Sequence, residues 1–258
     1  MSVYRYRYEM RISFGGPVTN HSFKIKCLPQ DNCRQKILSC LWEVEPDVPL
    51  KVYRDWAGNA EAHGFVSDPH EVFSFTVSGE AETANDICES KGDASPVYRY
   101  ETPLTAAGEG LKAFFAVQDV RPDAPYDAAL ALMHATHGAL RYEKGETDVA
   151  TSAEEAFERG SGVCQDYAHV MLALCRLAGL PSKYVVGFIP GEGESHAWVE
   201  VQCRGYWYGF DPTNDLLVSD GYIKISEGRD FSDTEINRGC FRGAVSQEKQ
   251  ICVLVEKS

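Results

Sequence analysis

Polar and apolar residues alternate along much of the first hundred positions. From Tyr4 to Ile12 every even position is apolar, while Arg5, Arg7, Glu9 and Arg11 take the odd ones. A repeat of two sends successive side chains to opposite faces, so the segment predicts a strand with one wet face. Phe23, Ile25 and Cys27 alternate with Lys24 and Lys26 in the same way, and strand-like runs follow at 37–44, 60–66 and 72–77. Turn signals separate them at Gly15-Gly16-Pro17, Pro46-Asp47, 55–59 and Ser67-Asp68-Pro69. Short strands so spaced predict a sandwich or an open antiparallel sheet.

Between about Gly79 and Pro96 the chain turns small, polar and acidic, which predicts a linker or long surface loop. Beyond it the period becomes helical, at 111–117 and 127–142. Ser152-Ala153-Glu154-Glu155 is a capping box opening a short helix that should stop near Gly160. A longer apolar helix is expected over 163–178, stopped by Gly179 with Pro181 just beyond. Strand patterns then run to the C-terminus. The chain divides on this reading into a β-rich unit over 1–96 and a second unit over 97–258.

Charge and composition narrow the function. Twenty-five Lys and Arg face 38 Asp and Glu over 258 residues, a net charge of −13. That balance argues against gripping nucleic acid or anionic lipid through bulk charge. No apolar run approaches the roughly 18 residues that span a bilayer, and the opening residues lack the apolar core of a signal peptide. The nine cysteines are scattered without a CxxC pair, which predicts a reduced, cytoplasmic chain with mostly inert, buried thiols.

The segment 160–214 carries the chemistry. Gly160-Ser161-Gly162-Val163 leads into a helix and puts Cys164 in its first turn, where free N–H groups and the positive dipole end favour a thiolate. His169 sits five residues on, about 140° around the helix, and cannot serve as its base. The strand from Ser195 to Val201 carries His196, Trp198 and Glu200 on one face. A returning strand begins at Tyr206 and reaches Asp211 before Pro212. A two-residue loop at Arg204-Gly205 sets Asp211 opposite Trp198; a four-residue loop from Gln202 to Gly205 sets it opposite His196. Either leaves His196 and Asp211 on one face within about 8 Å. With Cys164 they compose a Cys–His–Asp set: thiol nucleophile, imidazole base and orienting carboxylate, with the Cys164 N–H as one oxyanion donor. The second oxyanion donor has no sequence signal.

Four ordered motifs resemble the transglutaminase-like superfamily, in particular its bacterial members with an N-terminal β domain. They are Gly162-Val163-Cys164-Gln165-Asp166-Tyr167-Ala168-His169, Gly179-Leu180-Pro181-Ser182-Lys183-Tyr184-Val185, Ser195-His196-Ala197-Trp198-Val199-Glu200-Val201 and Phe210-Asp211-Pro212-Thr213-Asn214. Gly228-Arg229-Asp230-Phe231-Ser232-Asp233 resembles a further segment of the bacterial group. The likeness covers about 100–245 well and the opening strands more weakly. It implies an α+β, papain-like core, with a helix bearing Cys164 packed on an antiparallel sheet bearing His196 and Asp211, behind an N-terminal antiparallel β domain. Cys164 would be the nucleophile, His196 the base and Asp211 its orienting carboxylate, acting on a peptide or protein amide without a cofactor. Bacterial members are usually described as candidate cysteine proteases, and the same three groups serve hydrolysis or transfer to an amine. A catalytically silent peptide-binding module is the contrasting expectation. Pro181-Ser182-Lys183 stands where related sequences often read Pro-Ala-Arg, a change expected to alter the surface around the three.

Other candidates carry less. His134 and His137 lie three apart on one helix but lack a third ligand, and Cys27, Cys33 and Cys40 lack zinc spacing. Asp215, Asp220, Asp230 and Asp233 invite calcium, yet no EF-hand spacing occurs, and no metal is expected. Tyr167, Trp198, Trp207 and Tyr208 could wall an acyl-binding cleft, although core is the ordinary place for such side chains.

Overall fold

The computed structural model describes residues 2–85, 88–89, 94–121 and 123–258. Its first strand, β1 (Ser2–Leu28), is 27 residues long. Tyr4, Tyr6, Tyr8, Met10, Ile12 and Phe14 are buried while Arg5, Arg7 and Arg11 stay exposed, as the alternation requires. The strand passes straight through Gly15-Gly16-Pro17, where a turn was expected. Here the ladder shifts register between Ser13 and Val18, so Pro17, which has no N–H to donate, sits where pairing is already interrupted.

β2 (Gln35–Glu45), β3 (Lys51–Arg54), β4 (Ala60–Val66) and β5 (His70–Thr83) follow. The first half of β1 pairs with β5, which pairs with β2; its second half pairs with β4, which pairs with β3. β5 thus runs on through Gly79, into the stretch expected to be linker. Positions 86, 87 and 90–93 of that stretch lie outside the described residues.

Helices and short strands come next: β6 (Cys88–Glu89), α1 (Glu109–Ala116), α2 (Pro125–Ala139), β7 (Arg141–Tyr142), α3 (Ala153–Arg159), β8 (Ser161–Gly162) and α4 (Cys164–Leu177). The capping box at Ser152 and Glu155 forms, and Gly160 ends α3 at a φ of 68°, a conformation glycine adopts without steric cost. Every residue of α4 from Asp166 to Arg176 is buried. At about 1.5–3 kcal/mol for each large apolar side chain taken out of water, this burial anchors the helix firmly in the core.

The remaining elements are β9 (Ser182–Phe188), β10 (Gly191–Gly193), β11 (His196–Cys203), β12 (Tyr206–Asp211), β13 (Leu216–Leu217), β14 (Ile223–Gly228), α5 (Phe231–Thr234), β15 (Asn237–Arg242) and β16 (Gln247–Lys257). A second antiparallel sheet has the order β13-β12-β11-β9-β14, with β6 on β12. α4 lies between this sheet and α1, α2 and α3. The fold is therefore α+β, a buried helix on an antiparallel sheet with a β-rich N-terminal region. The last two strands return to the first sheet, β15 and β16 both pairing with β1. Tyr8 stacks on Phe75 of β5 at 5.4 Å and on Phe188 of β9 at 5.7 Å, joining the cores of the two sheets.

Candidate active site

Asp166 and Gly162 set the start of α4. The Asp166 carboxylate, one turn into the helix, accepts the Val163 N–H at 2.7 Å and the Thr147 hydroxyl at 2.7 Å. Burial raises the pKa of that carboxyl above its ordinary value, against these hydrogen bonds. A Cβ on Gly162 would fall 2.5 Å from the same carboxylate, so only glycine leaves room for it. Cys164 then takes the first helical position, partly exposed, its Sγ 4.0 Å from the Ser195 carbonyl. Among the described residues no acceptor meets the backbone N–H of Cys164 or Gln165. Both are free donors at the positive end of a 14-residue helix.

Strands β11 and β12 supply the other two groups. Cys203 pairs with Tyr206 across Arg204-Gly205, both with positive φ, so the two-residue loop is the one adopted. His196 and Asp211 are diagonal neighbours, and Nε2 of the imidazole lies 2.7 Å from Oδ2 of the carboxylate. Asp211 is fully buried and accepts four further hydrogen bonds: the N–H groups of Thr213 and Asn214 at 3.0 and 3.2 Å, the Asn214 amide at 2.8 Å and the Tyr222 hydroxyl at 2.8 Å. Burial would raise its pKa, but His196 and these donors hold it below the ordinary carboxylate value. Burial likewise opposes the charged form of His196, yet the hydrogen bonds and charges of Asp211 and Cys164 prevail and lift it to about 10. An imidazole so placed keeps its proton at neutral pH.

Cys164 and His196 open on a cleft of about 460 Å³, walled by Tyr142, Lys144, Val163, Ile189, Pro190, the chain from Gly191 to Ser195, and Val253 of β16. Lys144 and Glu194 form an exposed ion pair at 2.9 Å. Sequence reasoning missed Tyr142, Lys144 and the 189–194 segment, whose places depend on pairings remote in the chain. It also missed Tyr222, for which there is no local signal.

Two family profiles match the chain. Residues 115–212 fit the transglutaminase-like superfamily and residues 4–82 the bacterial transglutaminase-like N-terminal region, together more than half of the chain. The chain belongs to the transglutaminase-like superfamily. Relatives include an uncharacterized protein of Mycobacterium leprae, 24% identical over 95% of each chain, and one of Mycobacterium tuberculosis, 25% identical over 92% of this chain and 86% of the relative. A solved structure of a candidate cysteine protease from Cytophaga hutchinsonii shares the fold, with a TM-score of 0.82, 20% identity, and coverage of 99% of this chain and 90% of that one.

Within this transglutaminase-like fold the remaining candidates find other places. His169 is fully buried, points away from Cys164 and accepts the Phe231 N–H at 3.2 Å; burial lowers it to about 4. Tyr167, Trp198, Trp207 and Tyr208 do not line the cleft. Trp198 packs edge-on against Tyr222 at 5.4 Å behind the His196–Asp211 pair. Lys183 is not at the surface as the motif departure suggested. It is buried, 2.7 Å from Glu227 and 4.0 Å from the centre of the Trp207 ring. Asp215 pairs with His134, Asp220 accepts from Tyr4 and Thr83, Asp230 caps α5 and Asp233 pairs with Arg229. Among the described residues no group of three His, Cys, Asp or Glu could hold a metal ion. Among the described residues no helix is long and apolar enough to cross a membrane. Cys33 is disulfide-bonded, so the expected picture of inert, unpaired thiols does not extend to it.

Proposed function

We propose that the protein is a cysteine-dependent hydrolase of peptide or other amide bonds, with Cys164 as nucleophile, His196 as general base and acid, and Asp211 as the carboxylate that orients His196. The observation that carries this reading is the buried 2.7 Å contact between His196 and Asp211, whose imidazole opens on the same cleft as the helix-start thiol. Cys164 gives up its proton to His196 ahead of the reaction, and the thiolate sulfur adds to the substrate carbonyl. Negative charge gathers on the carbonyl oxygen, where the N–H groups of Cys164 and Gln165 meet it. The C–N bond breaks as His196 returns the proton to the leaving amine, and a thioester remains. Water, deprotonated by His196, adds to the thioester and releases the acid and the thiol.

The test is iodoacetamide labelling with peptide mapping at pH 7, on the wild type and on His196→Ala. Cys164 should label at least about tenfold faster than the other free thiols, and His196→Ala should abolish the preference. Labelling of Cys164 no faster than the rest would overturn the enzyme reading in favour of a silent peptide-binding module. Amide turnover with and without added amines then separates hydrolysis from transfer.

A further inference from the structure

Strand β10 forms part of the cleft wall, and its hydrogen-bonding pattern follows from that of its neighbours. Ser258 donates its N–H to Val3 O at 2.9 Å, and Gly15 donates to Ser246 O at 2.9 Å. Both pairs lie on the register that runs from Tyr4↔Lys257 to Phe14↔Gln247. In an antiparallel ladder, opposed residues exchange hydrogen bonds at every second position. The odd residues of β1 are therefore bonded to the even residues of β16, Arg7 to Leu254 among them. Val253 and Val255 turn their N–H and C=O groups the other way, toward β10. Their partners there are Gly193 and Gly191.

Glu192, between those glycines, consequently directs its own N–H and C=O away from β16, along the plane of the sheet. β10 ends the sheet, and among the described residues no strand pairs with its second edge. Neither group of Glu192 has a partner there. Gly191, Glu192 and Gly193 are all exposed, and a Cβ placed on either glycine would meet nothing within 4 Å. The strand leads through Glu194 to Ser195, whose carbonyl is 4.0 Å from Cys164 Sγ. A free strand edge beside a nucleophile is the arrangement that recognises an extended peptide by its backbone.

We propose that the free edge at Glu192 docks the substrate chain: an extended peptide lies along β10, exchanges hydrogen bonds with the Glu192 N–H and C=O, and is thereby led to Cys164. This assignment rests on the amide-hydrolase reading above and adds the substrate class, an extended polypeptide recognised through its main chain. A folded surface or a small free amide offers no such strand.

The test compares two electrophiles on Cys164. Acetyl-trialanyl chloromethyl ketone carries a neutral peptide that can lie along β10, whereas iodoacetamide carries none. Glu192→Pro removes the N–H of the free edge; Glu192→Ala keeps it. The ratio of peptide-reagent to iodoacetamide labelling of Cys164 should fall about tenfold in Glu192→Pro and hold at the wild-type value in Glu192→Ala. In the wild type, N-methylation of the reagent's amides one at a time should cost about tenfold at one position and little at the others. This second measurement decides the matter should Glu192→Pro disturb the cleft itself. A Glu192→Pro variant that treats both reagents as the wild type does, or a flat N-methyl series, overturns the docking edge while leaving the hydrolase reading intact. Failure of iodoacetamide to select Cys164 in the wild type overturns the hydrolase reading and this one with it.

Discussion

His196 Nε2 and Asp211 Oδ2 lie 2.7 Å apart although their residues are diagonal, not opposed, across the β11–β12 hairpin. The side chains lean toward each other because Asp211 is the last residue of its strand. Its carboxylate is turned by the N–H groups of Thr213 and Asn214 just past Pro212. Asp211→Asn keeps an oxygen for those donors but removes the charge on the imidazole. Labelling of Cys164 at pH 7 should fall by about 10²–10⁴-fold, and the His196 titration followed by NMR should drop from about 10 toward the ordinary histidine value.

Tyr222 donates to the same Oδ2 at 2.8 Å. Tyr222→Phe removes one of three hydrogen bonds to that oxygen and keeps the ring against Trp198. The expected cost is about 1 kcal/mol in urea unfolding and a several-fold slower labelling of Cys164. Equal labelling rates would remove Tyr222 from the site.

Gly162→Ala places a methyl group 2.5 Å from the Asp166 carboxylate. Asp166 must yield, and the Val163 N–H loses its acceptor. A loss of about 1–3 kcal/mol is expected on thermal unfolding, together with slower Cys164 labelling, since the start of α4 shifts.

Lys183→Met separates stability from reactivity. It leaves Glu227 buried with Lys224 as its remaining cation, and urea unfolding should show a loss of about 2–3 kcal/mol. Cys164 labelling should stay within twofold of the wild type, because Lys183 does not line the cleft.

Acid should weaken the fold through a buried histidine. His21 stacks on His70 inside a ring of phenylalanines, and burial followed by the charge of His70 lowers it to about 4. The unfolded chain binds that proton near pH 6.5 and the folded one only near 4, so stability is full above 6.5 and is lost as pH falls between them. The loss is at most about 3 kcal/mol. His21→Asn, which keeps a polar atom near the Nδ1 position, should reduce the slope of urea midpoint against pH over that window, with His169, lowered by burial in the same way, supplying part of what remains.

The parts of the fold that were legible in the sequence are those governed by neighbours along the chain. Alternation marked β1, the Ser152–Glu155 box and Gly160 bounded α3, and the helix-start position of Cys164 followed from Gly162-Val163. The expected turn at Gly15-Gly16-Pro17 failed because turn chemistry is local, whereas a strand can absorb the same residues at a register shift. Hairpin arithmetic brought His196 and Asp211 to one face, because a short loop constrains the pairing. Tyr222 and the 189–194 wall were illegible: they arrive through β14 and β16, and no spacing rule reports a pairing between residues 191 and 255.

β16 pairs on one side with β1 and on the other with β10, and contributes Val253 to the cleft. Eleven residues near the C-terminus therefore act as a zip between the scaffold and the mouth of the site. A protease that nicked the chain around Ser246 and released this strand would unfasten β10 and strip Val253 from the cleft in one stroke. Cys164, His196 and Asp211 would keep their own strand and helix, and reactivity toward a small reagent would outlast the capacity to hold a long one.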